Sequence, residues 1–271
     1  MQIKYIGSTW GLDHLTLEAM LQLIRESGFD GVEMGVPADP VERKHFREFI
    51  AKSGLALVAQ QWTTGTTPSD HAKSFEEQYR RNAELRPLLV NSHTGKDHYT
   101  LPENLVVFKK AAELEKELGV PIAHETHRGR APYSTVTTMA LLDALPGLNL
   151  TADFSHWCCV HESLLEDQNS RLGRAIERTL HIHARVGHPE GPQVSDPRAP
   201  EWRDAVEAHL RWWQQIVDYR ARSGAQIVTI TPEFGPPPYM ITQPYTLQPM
   251  VSNWEMNKHM KDLLQKRLKF S

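Results

Sequence analysis

Acidic residues and a histidine follow apolar runs at four places in the second half of the sequence. Glu125 comes shortly after "GVPIA", Asp153 after "LNLTA" and Glu233 after "QIVTITP", while His183 lies within "LHIHARV". Burying an unpaired carboxylate is costly, and a divalent cation held between these groups would neutralise their charge. The sequence therefore predicts one divalent-cation site with Glu125, Asp153, His183 and Glu233 as its ligands.

The donor set of this predicted site is mostly hard, because it contains three carboxylates and one imidazole. Such donors favour Mn²⁺, Mg²⁺ or Co²⁺, and Zn²⁺ is compatible with them as well. His181 is expected to be a hydrogen-bonded core histidine, and His124 to point towards the helix layer. Glu33, within "GVEMGV", is either a structural partner of the buried cation or a substrate contact.

These residues need a scaffold that brings the ends of several strands together. Short apolar runs alternate with amphipathic segments along the whole chain, and no Ser/Gly linker divides it. The expected strands cover residues 3–9, 31–36, 55–62, 88–93, 120–126, 148–155, 180–186 and 226–234. The expected helices cover residues 15–27, 40–53, 69–85, 102–118, 134–145, 169–178, 200–223 and 247–268. This pattern predicts an α/β fold, a (β/α)8 TIM barrel forming a single domain over residues 1–271, with a doubly wound sheet as the alternative.

In such a barrel the side chains that perform chemistry gather at the carboxyl ends of the strands. Side chains alternate between the two faces of a strand, so Glu125 and His127 share one face, as do His181, His183 and Arg185. We expect that face to line the barrel interior, because only there can the carboxylates converge.

Cationic side chains are expected around the mouth of the barrel. His127, Arg128, Arg130 and Lys96 could bind a phosphate or carboxylate group of a substrate. For Lys96, pairing with Asp97 is the alternative interpretation.

Tryptophans fall into two groups. Trp10, Trp62 and Trp157 each lie at or just after the end of a predicted strand, where a ring could pack on the C–H face of a sugar or simply under a loop. Trp212 and Trp213 lie in the amphipathic stretch "LRWWQQIVDY", which predicts packing of a helix on the barrel or a subunit contact.

Composition narrows the classes of function. The formal net charge is -3, and no broad basic surface for binding nucleic acid is indicated. Neither a run of about 18 apolar residues nor a signal-peptide pattern occurs, so we expect a cytoplasmic protein without membrane contact.

Cys158 and Cys159 are adjacent and support neither an ordinary disulfide nor a thiolate zinc site. The apolar residues of "TQPYTLQPMVSNWEMNKHM" could form a homodimer contact.

The order of these motifs resembles the xylose isomerase-like superfamily of sugar isomerases and epimerases. The resemblance rests on the glutamate of "HETHRGR" followed by "DFSH", "HIHAR" and "TPEFG". It implies a carbohydrate substrate, one divalent metal ion bound by the four ligands above, and Glu125 and Glu233 as the pair that transfers protons. It also implies that His156 contacts a substrate hydroxyl and that Arg185 lies near the substrate.

Two segments depart from the pattern of the ketose epimerases. "ETHRGR" carries a histidine and two arginines where those enzymes have a proline and an asparagine-containing loop, and "HARVGHPEGPQV" is similar to a subgroup described only as sugar phosphate isomerases/epimerases. The implied reaction is therefore broad: isomerisation or epimerisation of a sugar or sugar phosphate through a metal-stabilised enediolate.

Three alternatives stay open. The same enolate could expel a β-substituent, which would make the protein a metal-dependent lyase or hydratase of a keto-sugar. A nuclease similar to the apurinic endonucleases would need a cluster of three zinc ions, with His71 and His93 as candidate additional ligands. Otherwise His93 is expected to bind substrate. The third alternative is a non-catalytic barrel or a partner subunit.

Overall fold

The computed structural model describes residues 1–269, which contain eight strands. They are β1 (Gln2–Ser8), β2 (Gly31–Gly35), β3 (Ala56–Trp62), β4 (Leu89–His93), β5 (Ile122–Glu125), β6 (Leu150–Ala152), β7 (Thr179–His183) and β8 (Ile227–Thr231). Each strand pairs in parallel with its neighbour in chain order, and β1 pairs with β8 to close the barrel. The predicted (β/α)8 fold is confirmed, and the doubly wound alternative is wrong because that sheet would have open edges.

Helices alternate with the strands, and local sequence sets their ends. They are α1 (Leu17–Glu26), α2 (Pro40–Ser53), α3 (Pro68–Ala83), α4 (Leu101–Leu118), α5 (Thr135–Ala144), α6 (Phe154–Val160), α7 (Asn169–Glu177), α8 (Arg203–Arg222) and α9 (Asn253–Arg267), with a short 3-10 helix (Pro200–Trp202) before α8. Thr67 and Asp70 form a capping box at the start of α3. Gly119 ends α4 in the left-handed conformation. None of the helices within residues 1–269 combines the length and apolarity needed to span a membrane.

The structure differs from the sequence prediction just after β6. The apolar pattern predicts a strand that continues to residue 155, but β6 ends at Ala152 and α6 begins at Phe154. Asp153 stops the strand by acting as the N-cap of α6, where its side chain accepts a hydrogen bond from the Ser155 backbone N–H at 3.2 Å. The helix escapes detection because five of its seven residues are buried, which makes a short helix resemble a buried strand.

The barrel interior has an apolar part and a polar part. Four apolar side chains form a separate cluster inside the barrel: Ile6, Val58, Leu89 and Ala123. Two residues further along β4 and β5, the same interior face carries Asn91 and Glu125, both buried. The apolar cluster therefore supports a polar layer at the carboxyl ends of the strands.

The outer face of the strands packs on the helices, as the sequence predicts for two groups of residues. His124 faces the helix layer, and its ring lies 4.6 Å from the ring of Phe108 on α4. Trp212 and Trp213 are buried on α8, and Trp212 contacts the ring of Phe154 edge-on at 6.0 Å. Packing of α8 on the barrel, rather than a subunit contact, accounts for this tryptophan pair.

Residues 241–250 form an irregular segment between β8 and α9. The side chains of Ile241, Tyr245, Leu247 and Met250 are exposed there. Helix α9 begins at Asn253, later than the predicted residue 247. A homodimer contact through these apolar side chains stays a prediction.

Phe108 joins α4 to the strand that carries Glu125, so its truncation tests the packing. We expect Phe108→Ala to lower the free energy of unfolding by about 3–5 kcal/mol, because it removes a buried ring and leaves a cavity. Val106→Ala is the matched control on the same helix, since Val106 is 43% exposed. Urea denaturation followed by circular dichroism measures both, and equal effects of the two substitutions would contradict this packing.

Candidate active site

The structure brings the four predicted cation ligands together at the carboxyl end of the barrel. Glu125 ends β5, His183 ends β7, Asp153 directly follows β6, and Glu233 lies two residues beyond β8. One donor atom from each residue lies within 4.8 Å of the donor atoms of the other three, and all four residues are buried. We call these four residues the quartet.

The electrostatics of the quartet fit a bound cation. Burial, opposed by Arg185 and reinforced by the negative charges of Glu125 and Glu233, raises the pKa of Asp153 to about 6. His183 Nδ1 is buried and makes no hydrogen bond within residues 1–269, although Glu233 Oε2 lies 2.9 Å away. Mutually repelling carboxylates and an imidazole nitrogen without a hydrogen bond are what a divalent cation would satisfy, with the quartet as its ligands.

Glu33 contacts the other nitrogen of the His183 ring. Its carboxylate accepts hydrogen bonds from five side chains: Gln60 Nε2 at 3.1 Å, Asn91 Nδ2 at 3.1 Å, His181 Nε2 at 3.1 Å, His183 Nε2 at 2.9 Å and Thr231 Oγ1 at 2.5 Å. Burial raises the pKa of Glu33, but the nearby His183 and His181 bring it well below its ordinary value. When His183 Nε2 donates to Glu33, the Nδ1 lone pair faces the quartet. Of the two interpretations of Glu33, the structure supports the structural partner.

Arg185 supplies a buried positive charge beside the quartet. Its Nη2 group contacts Asp153 Oδ2 and lies 3.5 Å from Glu233 Oε2. Its guanidinium carbon lies 4.8 Å from the ring centre of Tyr239 and 5.7 Å from that of Trp10. Nη1 has no hydrogen-bond partner among the described residues, so Arg185 orients two acidic side chains and retains a free donor.

His156 reaches the site through Arg185. The ring of His156 is fully buried, and its Nε2 lies 2.9 Å from Arg185 Nη2, which donates to it. Burial, together with the charges of His127 and Arg185, holds the pKa of His156 well below its ordinary value, so the ring is a neutral acceptor. The ring of His127 lies 3.9 Å from it on the side of the cleft. The structure thus separates His156 from the cleft by another histidine.

A cleft of about 420 Å³ opens beside the quartet. Residues from the ends of β1, β2, β3, β4, β5, β7 and β8 line it: Thr9, Trp10, Asp13, Gly35, Gln60, Trp62, His93, Glu125, His127, Arg185, Glu233 and Tyr239. Trp62 stacks on His93 at 5.4 Å, and Trp10 packs edge-on against Tyr239 at 4.9 Å. Ring faces on two sides suit the C–H faces of a compact polar molecule.

The prediction that Trp157 contacts the substrate is wrong. Trp157 has no exposed surface, its ring stacks on Phe154 at 4.8 Å, and its Nε1 donates to the Pro132 carbonyl. The reason is the unpredicted helix α6, which turns Trp157 away from the mouth of the barrel. The packing interpretation of this tryptophan holds.

The structure places only some of the predicted cationic side chains at the mouth of the barrel. Arg128 is exposed at the rim, with its guanidinium carbon 5.2 Å from the ring centre of Tyr239. Arg130 instead donates to the Thr63 carbonyl at 3.0 Å, and Lys96 does not line the cleft. His71 is buried with its Nδ1 2.8 Å from Thr63 Oγ1, outside the quartet. His93 does reach the quartet, because its Nε2 lies 2.9 Å from Glu125 Oε2.

Sequence reasoning missed two residues of the site. Asn91 donates to Glu125 Oε2 at 2.9 Å and to Glu33, and it lies two residues before His93 on β4. The alternation of side chains along "VNSH" could have revealed it. Tyr239 gave no comparable signal, since it lies in the irregular segment "GPPPYM" that no periodicity describes.

Comparisons with solved structures agree on the architecture. A D-allulose 3-epimerase from Methylomonas sp. aligns with a TM-score of 0.62 at 12% identity over 98% of this chain and 97% of that one. A probable 3-DHS dehydratase from Bacillus anthracis aligns with a TM-score of 0.62 at 14% identity over 97% and 99%. Endonuclease IV from Thermus thermophilus aligns with a TM-score of 0.58 at 15% identity over 97% and 99%. At these identities the similarity concerns the fold.

Sequence comparison gives a family. No curated protein sequence matches the chain significantly. The sequence model of one family, described as the xylose isomerase-like TIM barrel, matches residues 21–191. This match covers more than half of the chain, and the closed barrel agrees with it. The protein belongs to the xylose isomerase-like TIM barrel family.

Proposed function

We propose that the protein is a divalent-metal-dependent isomerase or epimerase of a small carbohydrate. One observation carries the proposal: two members of the quartet, Glu125 and Glu233, line the cleft, whereas Asp153 and His183 do not. A molecule in the cleft would therefore meet two carboxylates, while the other two ligands would only hold the cation. Two accessible carboxylates beside one cation are the groups that proton transfer next to a carbonyl requires.

In the proposed reaction, one carboxylate removes the proton from the carbon next to the substrate carbonyl. The other returns a proton either to the opposite face of that carbon, giving an epimer, or to the neighbouring carbon, giving an isomer. A bound divalent cation would supply Lewis-acid stabilisation of the negative charge that develops on the substrate oxygens. Glu125 accepts a hydrogen bond from Asn91 and lies 2.9 Å from His93 Nε2, whereas Glu233 lies 3.5 Å from Arg185 Nη2, so the two carboxylates have different neighbours.

The other residues at the cleft have proposed roles in binding the substrate. Trp62 and Trp10 would pack on the C–H faces of the sugar. Arg185 would donate its free Nη1 hydrogen to a substrate oxygen, and His156 would keep Arg185 in place. Arg128 is available at the rim for an anionic group if the substrate carries one.

The nuclease alternative has weaker support. It needs additional histidine ligands beside the quartet, and of the two candidates His93 contacts Glu125 but His71 is bound to Thr63. The cleft is lined by one arginine and three acidic residues, which disfavours a phosphodiester backbone: Arg185, Asp13, Glu125 and Glu233.

Exchange of a substrate hydrogen with solvent tests the acid and base roles. D-allulose, other ketoses and their phosphates are incubated with the protein and Mn²⁺ in deuterated water, and deuterium in the recovered sugar is measured by mass spectrometry. We expect Glu125→Gln and Glu233→Gln each to slow exchange by about 10²–10⁴-fold, because each removes one proton-transfer group. Glu115→Gln makes the same change at a carboxylate on α4 outside the cleft and should leave the rate unchanged.

The products of the same incubation separate the alternatives. An epimer or isomer containing deuterium supports the proposal, whereas an unsaturated product that has lost water identifies a lyase. Exchange at the wild-type rate in both glutamine variants would contradict the assigned roles.

Cation binding is the second test. We expect one Mn²⁺ per chain by elemental analysis and a higher thermal midpoint on adding Mn²⁺, because a ligand at about 100 times its Kd stabilises the folded state by about 2.7 kcal/mol. Asp153→Asn should abolish this shift. Asp143→Asn, at an exposed carboxylate on α5, should retain it. Three ions per chain would favour the nuclease, and no shift with wild-type protein would favour the non-catalytic barrel.

A further inference from the structure

Glu233 lies beyond the end of its strand. β8 ends at Thr231, and the next residue is Pro232, which has no backbone N–H to continue the pairing with β7 or β1. Strand pairing reaches the Thr231 carbonyl, which accepts from the Ala184 N–H at 2.7 Å, but it does not extend to Glu233. Yet this side chain is buried and must meet three others from separate strands.

Two side-chain amides bind the backbone that follows Glu233. Asn257 Oδ1 accepts from the Phe234 N–H at 2.6 Å, and its Nδ2 donates to the Phe234 carbonyl at 3.1 Å. Gln193 Oε1 accepts from the Gly235 N–H at 2.8 Å, and its Nε2 donates to the Gly235 carbonyl at 3.1 Å. Each amide thus satisfies both polar groups of one residue, as a neighbouring strand would.

The two amides come from different parts of the chain and are themselves fixed. Asn257 lies on α9 and is 1% exposed. Gln193 is 4% exposed and lies in the loop after β7, where the next residue, Val194, donates its N–H to the Val186 carbonyl at 2.9 Å. Because amide groups make their hydrogen bonds with strong directional preference, two buried amides define the path of the bound backbone.

The opposite side of this backbone is also closed. A Cβ atom built on Gly235 would lie 2.4 Å from the ring of Trp10, so only glycine allows the ring to approach this closely. The segment after Glu233 is held by Gln193 and Asn257 and is covered by Trp10, a residue that lines the cleft. The position of Glu233 therefore depends on contacts outside the strand that carries it.

We propose that Gln193 and Asn257 are positioning residues that hold Glu233 in the quartet. This inference rests on the proposed function, because it assumes that Glu233 binds the cation. Neither residue belongs to the quartet or lines the cleft. They act through the backbone of Phe234 and Gly235, and their loss lets Glu233 move relative to Glu125, Asp153 and His183. Gln193 belongs to the segment "HARVGHPEGPQV", which departs from the epimerase pattern, and the proposal gives this part of the segment a role.

Nearly isosteric apolar substitutions test the role without opening a cavity. We expect Gln193→Met and Asn257→Leu each to weaken Mn²⁺ binding by about tenfold in calorimetric titration of chelator-treated protein, since outer contacts of ligands typically contribute about 10–100-fold to affinity. The matched control is Asn104→Leu. Asn104 makes the same kind of paired contact, to the Lys96 N–H at 3.1 Å and to the Lys96 carbonyl at 2.9 Å, on a loop that carries no member of the quartet.

The outcomes separate the two proposals. A purely structural role would lower the thermal midpoint of the metal-free protein in all three variants and leave Mn²⁺ affinity unchanged, which would overturn the positioning role alone. Failure of the wild-type protein to bind Mn²⁺ would overturn the proposed function as well.

A measurement on the wild-type protein covers the case in which a variant does not fold. Hydrogen exchange of the Phe234 and Gly235 amides should be slow although β8 ends at Thr231, because both N–H groups are bound by buried side chains. Rapid exchange of these two amides would show that the backbone is not held and would overturn the positioning role.

Discussion

Repulsion between buried carboxylates is the constraint on which the mouth of this barrel depends. Four are buried within one layer: Glu33, Glu125, Asp153 and Glu233. Two like charges about 4 Å apart repel by about 4 kcal/mol at an effective dielectric constant of about 20, and a whole domain is stable by only about 5–15 kcal/mol. The arrangement therefore needs compensating charge, and the protein itself supplies it mainly through Arg185 and His183.

The positive charge is divided unequally among the four carboxylates, and the difference indicates where a cation would bind. Glu33 accepts five side-chain hydrogen bonds and needs no further partner. The three carboxylates of the quartet lie beside His183, His93 and Arg185, and the raised pKa of Asp153 reflects burial together with repulsion by Glu125 and Glu233. Glu33 also fixes the ring of His183. Glu33 thus orients the ring of His183, and positive charge is still needed on the Nδ1 side of that ring, which faces the quartet.

The sequence predicts most of the barrel and the core of the site, but not the contacts between loops that follow neighbouring strands. Alternating apolar runs predict the eight strands, and polar residues at their ends predict the quartet, because both follow from local periodicity. Helix α6 escapes this reasoning because its buried faces resemble a strand, and the expectation for Trp157 fails with it. Gln193 acts on Gly235, 42 positions further along the chain, and no local pattern indicates that contact. The contact forms because Gln193 follows β7 and Gly235 follows β8, and these two strands are neighbours in the barrel.

The proposed metal site and the walls of the cleft occupy different parts of the structure. The quartet lies on or just after β5 to β8 and is held by the buried contacts of the barrel interior. The walls of the cleft come from Trp10, Trp62 and Tyr239, which lie at the ends of other strands or in loops and are partly exposed. Loop residues can change without disturbing the packed strands. The segment "HETHRGR" contributes to both parts: Glu125 belongs to the quartet, and Arg128 lies at the rim of the cleft. Proteins that share this barrel at 12–15% identity include an epimerase, a probable dehydratase and an endonuclease, so the fold alone does not identify a substrate.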